Sequence, residues 1–525
     1  MNNPDPTAHP RLWPLAAIAA GALIALLLIW VPESPQRQMQ VMQSILAGTV
    51  VLLLGLIWLL AASRLPWPHR WRILGILALA AVLPALALRH GGFTGDLVPV
   101  LEWRWSTLPG QLSSPDATSM GDEPVAAYPR FLGPQRNATL SGVRLQTDWQ
   151  RHPPELVWRQ SVGPAWSAFA VQGGMAVTQE QNGELETVVA RDLRTGERRW
   201  THRDSARHET SLGGVGPRAT PTIDGNQVFA VGGTGLLNAL DLATGQLLWQ
   251  RNIIIENGAS VPHWGMSASP LVLGDLVVVA AGGPEGHSLV AYSRETGARA
   301  WSSGDARAGY SSPTLARLAG VDQILTFNWG SVTGYRADTG ALLWQHPWSE
   351  ETQPIAQPLP LPGDRLLISS GYGVGSALLQ LAHAVDTSPA AVDVRVLWES
   401  TRLKAKFTNP VFHEGYVYGL DDGILVCLDP ETGERRWKRG RYGHGQLILT
   451  AGVLLIQAEA GGLHLVMAHP DGHRELASHP ALDDKTWNNP ALAAPYLLVR
   501  NHREAACFRL AMAPPDEVTM VAEAP

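Results

Sequence analysis

The sequence predicts an all-β fold, an eight-bladed β-propeller of four-stranded blades, preceded by an N-terminal transmembrane helical anchor. Three observations predict it. A nine-residue phrase returns along the chain, as DLRTGERRW at 192–200, DLATGQLLW at 241–249 and DPETGERRW at 429–437. Short apolar strands punctuated by turn residues run between its copies. Before residue 90 the text is different, made of long apolar runs without charge.

Composition agrees. At 525 residues the chain exceeds one ordinary domain unless it is built of repeats. Charged residues are 16% and the formal net charge is −6, which argues against nucleic acid, because that partner requires a basic face. The 20 tryptophans, 52 glycines and 39 prolines suit a turn-rich β protein with repeated aromatic anchors. Two cysteines build no disulfide framework.

The anchor, expected over 1–90, has three apolar runs at 12–31, 41–62 and 73–88, the last shorter and containing Pro84. About 20 helical residues cross a hydrocarbon core, so the first two are long enough and the third could lie partly in the interface. A cleaved signal peptide is the alternative for the first run, but its apolar stretch is long and further runs follow it. Arg64, Arg70 and Arg72 lie between the second and third runs, whereas Arg37 stands beside Glu33 between the first and second. The positive-inside rule then places the N-terminus in the cytoplasm and everything after Leu88 outside. The expected location is the inner (plasma) membrane, multi-pass, with the propeller facing the periplasm. Residues 91–127, rich in Pro, Ser and Gly, read as a linker.

The propeller is expected over 128–512, with a disordered tail at 513–525. Each unit opens on a strand such as ATPTIDG, continues through strands such as QVFAVGG and LLNALDL, turns at Thr-Gly and closes on a strand carrying Trp. The closing positions are Trp158, Trp200, Trp249, Trp301, Trp344, Trp398, Trp437 and Leu476, spaced by 39–54 residues. The last strands, from NNPALAA to AACFRLA, have no closing strand, and the early strand ELVWRQ has no opening ones. Joined, they make an eighth blade that removes the exposed edges of an open ring. Seven blades is the alternative count.

In the repeated phrase the acidic residue (Asp192, Asp241, Asp429) accepts turn amides. The glycine (Gly196, Gly245, Gly297, Gly340, Gly433) supplies a positive φ. The tryptophan (Trp200, Trp249, Trp301, Trp344, Trp437) packs between blades with its indole N–H on a carbonyl. Ser293 and Arg336 replace the Asp in two copies, and 378–398 has lost the turn altogether. This is a structural docking motif, not a catalytic one.

Asp-x-x-Thr-Gly-x-x-x-Trp resembles the tryptophan-docking motif of the pyrroloquinoline-quinone (PQQ) propeller repeat over roughly 128–512. That family, the quinoprotein alcohol dehydrogenase-like superfamily, includes quinoprotein dehydrogenases and the propeller lipoprotein of the outer-membrane barrel assembly machine. YPRFLGPQRNATLSGV, before the first blade, is similar to a segment of bacterial membrane-anchored PQQ-like repeat proteins of unassigned function. The resemblance implies the fold and leaves function between two readings. A dehydrogenase would hold PQQ with Ca²⁺ between a Trp platform, cations and carboxylates, with an Asp as base. Many family dehydrogenases also carry a vicinal cysteine pair over the cofactor. Here Cys427 and Cys507 stand in different blades and read as buried thiols, and no haem-attachment motif occurs. The compact blades leave little material for a lid over a cofactor, so no cofactor, metal ligand or catalytic residue is assigned.

A working face is nevertheless legible. The first strand of each blade can be aligned on Pro221, Pro270, Pro313, Pro358, Pro410 and Pro490, with Phe169 and Leu447 as equivalents. Three residues earlier stand Trp166, Arg218, Ser267, Tyr310, Ile355, Phe407, His444 and Trp487. One residue earlier stand Thr220, Ser269, Ser312, Gln357, Asn409, Gln446 and Asn489. The first set predicts an aromatic and cationic rim around one channel mouth, joined by Trp264, Lys406 and Lys485. The second predicts a polar inner ring. Such a rim suits a planar, sugar-like or peptide ligand, although aromatics at strand starts also serve plain packing between blades.

Weaker signals are set aside. GYGVGS at 371–376 has the glycines of a phosphate loop but no helix after it. His469 and His473 flank a turn without a third ligand. Asp421-Asp422 and Asp483-Asp484 read as water-facing turn carboxylates. The reading is thus a ligand- or protein-binding module at the cell envelope, with an envelope protein or a small molecule as partner. The alternative is a PQQ-dependent membrane dehydrogenase that oxidises an alcohol or sugar and passes electrons to quinone.

Overall fold

The computed structural model describes residues 11–31, 36–105, 124–383 and 392–514 and divides into two compact units, Met1–Leu108 and Pro109–Pro525.

The first unit has three helices long and apolar enough to cross a membrane: Trp13–Trp30, Arg37–Ala62 and Trp67–Ala87. The second ends in a π-helical turn, Trp58–Ala62. The third is longer than the run at 73–88 suggested. Its first turn starts at Trp67 with Pro68 behind it, where proline's missing N–H costs nothing because first-turn amides have no helical partner. Beyond the helix, Leu88–Phe93 pairs antiparallel with Pro99–Trp103, and Arg89 meets Glu102 at 3.0 Å across the pair. A hairpin therefore stands where the sequence suggested only a linker. The expected tail at 513–525 falls, after Pro514, outside the described residues.

The second unit is an eight-bladed β-propeller. Blades 1 to 6 span 170–205, 222–252, 271–303, 314–347, 359–400 and 411–441, each a four-stranded antiparallel sheet in chain order. Blade 7 uses 446–480. Blade 8 takes Ala491–Ala493, Tyr496–Arg500 and Glu504–Arg509 and closes with Glu155–Ser161 from the other end of the domain. The middle strands are sandwiched between neighbouring blades, so Val228–Val231 is buried throughout and reads as an unbroken apolar run. The outer strand has one face in solvent, so Leu247–Asn252 buries Trp249 and exposes its neighbours.

The blades are clasped at two levels. On the outside, at five joints the docking Trp lies on the glycine of the next blade, not of its own. A β-carbon on Gly196, Gly245, Gly297, Gly340 or Gly433 would stand 2.8 Å or less from the ring of Trp158, Trp200, Trp249, Trp301 or Trp398. The indole N–H of Trp158, Trp200 and Trp249 then donates to Leu193, Leu242 and Arg294 carbonyls at 2.8–2.9 Å. Trp398 and Trp437 donate likewise to Pro430 and His469 at 2.8–2.9 Å. Trp344 faces the blade that lost the turn and donates instead to Gln323 of its own blade at 2.6 Å. Asp192 accepts the amides of Arg194 and Thr195 at 2.9 Å.

Nearer the axis, the residues before the aligned prolines stitch blade to blade. The Ala168 amide donates to Thr220 Oγ1, the Thr220 amide to Ser269 Oγ, and the Ser269 amide to Ser312 Oγ, at 2.9–3.1 Å. The Gln357 amide donates to Asn409 Oδ1 at 2.8 Å. Between blades 8 and 1 it is Asn488, not Asn489, that spans the gap, donating to Ala165 and Ser167 carbonyls. Closure is reinforced by Arg500, fully buried, which donates to Thr178 Oγ1 at 2.7 Å and to the Gln179 and Gly163 carbonyls at 2.9 Å.

One feature has no counterpart in the repeat pattern. The segment leading into blade 8 crosses the end of the channel where first and second strands turn. Tyr128 bridges to Val171 of blade 1, and Pro129 accepts the Ile223 amide of blade 2. Arg136 donates to the Pro270 and Ser269 carbonyls of blade 3 at 2.9 and 3.1 Å. Thr139–Leu140 then adds to the inner strand of blade 7 in parallel. This plug leaves the opposite mouth as the open one.

Candidate functional site

The open mouth is built by the chain entering the first strand of each blade. In blades 6 to 1 the expected rim residues meet. The Trp166 and Trp487 rings are 4.7 Å apart, Phe407 lies 5.1 Å from Trp487, and His444 lies 5.2 Å from Phe407. Phe407, Trp166 and Trp487 are half-buried, and His444 is buried. Both lysines are drawn onto these faces. Lys485 Nζ is 4.3 Å from the Trp487 ring and 5.3 Å from Trp166. Lys406 Nζ is 4.6 Å from the Tyr372 ring and 6.0 Å from Phe407. A cation over a ring face gains about 0.5–2 kcal/mol, depending on how dry it is.

The remaining rim residues form a second arc. Arg218 Nε donates to the Trp264 carbonyl, and the Trp264 amide donates to the Tyr310 hydroxyl at 3.3 Å. Trp166 Nε1 donates to Gly213 O at 2.6 Å. Gly213 sits in a small hairpin of Glu209–Thr210 with Gly214–Val215, which leans on Arg218 and Trp264. Burial pulls the Arg218 guanidinium down to about 10, partly offset by Tyr310. Burial likewise lowers Lys485, against the opposing charges of Asp484 and Glu459.

Three contributors were missed from sequence. Glu459 accepts Trp487 Nε1 at 2.8 Å and the His444 amide at 3.1 Å, holding both in place. Tyr372 lies in GYGVGS with φ +57, and Gly371 beside it leaves room for the Lys406 backbone, which a β-carbon would meet at 2.7 Å. The glycines of that loop thus serve close approach. Asn409 is committed to the inter-blade bond, and Asn489 is half-buried beside Asn488, so both stand below the mouth.

Other features resolve plainly. Asp421 does not face water. It is buried, and its carboxylate receives Lys404 at 2.5 Å and Lys438 at 2.6 Å. Burial raises its carboxyl, and the two ammonium groups outweigh that and hold it below the usual range. His473 meets the Tyr442 hydroxyl at 2.9 Å, inside a cluster with Glu475 and His464. Cys427 and Cys507 are both buried and free, and burial raises both thiols. Among the described residues, no three His, Cys, Asp or Glu side chains converge as metal ligands. The mouth offers ring faces and cations to a planar anion, but its rings already stack on one another. Its carboxylate Glu459 is engaged by Trp487 and His444. These residues do not fit a Ca²⁺-held PQQ.

A family model described as outer membrane protein assembly factor BamB matches residues 134–262 and 259–439. The outer membrane protein assembly factor BamB of Shewanella oneidensis is 24% identical over 291 residues, 54% of this chain and 71% of that protein. The Yersinia pestis protein of the same name is 27% identical over 310 residues, 55% of this chain and 74% of that one. Among solved structures, a quinohemoprotein alcohol dehydrogenase from Comamonas testosteroni superposes with a TM-score of 0.53 at 14% identity, covering 73% of this chain and 80% of that one. That likeness concerns the fold alone.

Proposed function

The chain belongs to the family of PQQ-like repeat propellers described as outer membrane protein assembly factor BamB, and from that premise we propose that it binds a protein partner at the cell envelope through its open mouth. The observation that carries this reading is the asymmetry of the channel. One end is crossed by the Tyr128–Leu140 segment, while the other presents half-buried Trp166, Phe407 and Trp487 with Lys406 and Lys485 on their faces. Aromatic side chains are enriched in protein interfaces, and Trp is among the residues that carry most of their binding energy. The three apolar helices serve as the anchor. Arg64, between the second and third helices, and Arg70 and Arg72, in the first turns of the third, orient it with the propeller on the periplasmic side of the inner membrane. The dehydrogenase reading is not favoured, because among the described residues no three His, Cys, Asp or Glu side chains converge as a Ca²⁺-held quinone would need. A photo-crosslinking residue placed at Lys485, with a second placed at Arg199 on the outer strand of blade 1, tests the proposal in cells. A discrete protein adduct from position 485 and none from 199 supports it. Equal adducts from both, or none from either, overturns it.

A further inference from the structure

Arg136 is buried at 4% exposure at the plugged end of the channel with φ +55. Its two terminal nitrogens are spent on neutral carbonyls of blade 3, and its Nε has no hydrogen-bond partner among the described residues. The charge it feels is another cation, Arg130. A buried guanidinium without an anion is a costly arrangement, since carbonyl dipoles replace only part of its lost hydration. Beside it lies a cavity of about 380 Å³, bounded by the plug and the inner strands of blades 4, 5 and 6. Gln357 and Asn409 line that cavity. The Gln357 side-chain oxygen accepts Thr314 Oγ1, and the Asn409 oxygen accepts the Gln357 amide. Both carboxamides are therefore oriented by their acceptor ends, leaving their N–H₂ groups as donors. A cation and two amide donors in an otherwise largely apolar hollow, walled by Leu132, Leu359 and Phe412, make an acceptor-seeking site.

We propose that this cavity binds a small carboxylate, of the size of a four-carbon dicarboxylic acid, with Arg136 as its counter-charge. The volume, near the lower end of the roughly 300–1,000 Å³ typical of ligand pockets, admits a metabolite-sized molecule and no folded partner. The site stands apart from the open mouth, so it is independent of the partner-binding reading. The plug that supplies Arg136 carries no repeat motif. Its place in the channel gives this unpatterned segment a chemical role beyond filling space.

Titration calorimetry of the full chain in detergent with succinate tests it, with succinamide as the neutral counterpart and inorganic phosphate as the competing anion. Saturable one-to-one succinate binding, at least tenfold tighter than succinamide or phosphate, is expected. Arg136→Gln should weaken it at least tenfold. Because Arg136→Gln could unfold the plug, Asn409→Asp is the second variant. It keeps the acceptor for the Gln357 amide and adds a negative charge to the cavity, and it should also weaken succinate at least tenfold while the melting temperature holds. Absence of saturable binding at 10-millimolar order, phosphate binding as well as succinate, or unchanged affinity in Asn409→Asp overturns the proposal.

Discussion

The indole of Trp158, on the strand that closes blade 8, lies against Gly196 of blade 1 so closely that a β-carbon there would stand 2.6 Å from the ring. The first and last segments of the domain are thereby locked to the first blade. The same clasp recurs at four further joints, each time from one blade's Trp to the next blade's Gly. The repeated phrase is therefore two halves of two different joints.

Gly245→Ala tests the clasp. Gly245 has φ +72, and a β-carbon would meet the Trp200 ring at 2.4 Å. The cost should be about 2–4 kcal/mol, combining backbone strain with displacement of the ring. Gly274→Ala is the control: its φ is +55 but nothing lies within 4 Å, so only strain of about 1 kcal/mol remains. Thermal melting of the two variants in the full chain should rank them in that order. Equal losses would mean that the ring yields freely.

Ring closure depends on Arg500. Its removal takes a donor from the Gln179 and Gly163 carbonyls and from Thr178 Oγ1. Arg500→Met should cost about 3–5 kcal/mol, as several buried acceptors lose a donor together. The loss should be local. Hydrogen exchange should accelerate in Glu155–Ser161 and Tyr496–Arg500 before it does in blades 3 and 4. Uniform acceleration would show that the closure is not the weakest joint.

Glu186 should make stability depend on pH. It is buried, and burial pushes its carboxyl up to about 7, with Asp204 adding to the rise and the Gly233 amide opposing it. The folded protein then holds a proton that the unfolded chain releases near 4.5, so stability falls as pH rises from about 4.5 to about 7. The full effect is on the order of 3 kcal/mol. Glu186→Gln cannot ionise. It should match the parent near pH 4.5 and melt higher than the parent at pH 8. A variant that melts lower at both would show that the ionised carboxylate is stabilising.

Much of this architecture was legible from sequence because it repeats. Trp-Gly spacing located the outer strands, and the unpaired strand at ELVWRQ revealed the eighth blade. The plug was illegible for the opposite reason. Thr139–Leu140 is a two-residue parallel strand with no periodicity, and Arg136 is a charged residue whose burial no pattern announces. The polar inner ring, read from sequence as lying inside a ligand-binding rim, has a structural task at Thr220, Ser269, Ser312 and Asn409. Their oxygens receive the neighbouring blade's amides, because backbone groups packed near the axis have no water to satisfy them. The third helix was read short because Pro68 and Arg70 look like a loop, although proline suits a helix's first turn. Glu459 escaped notice because it follows a second strand, away from the aligned positions.

Binding of a protein partner at the open mouth is read out by the adduct formed from a photo-crosslinker at Lys485. Arg218→Ala combined with Trp487→Ala removes a buried cation and the ring that joins Trp166 to Phe407. Arg194→Ala, on a docking turn at the other end of the blades, is the control. The adduct should fall at least tenfold in the double variant and persist in the control, with both proteins folded. An undiminished adduct from the folded double variant would contradict binding at the open mouth.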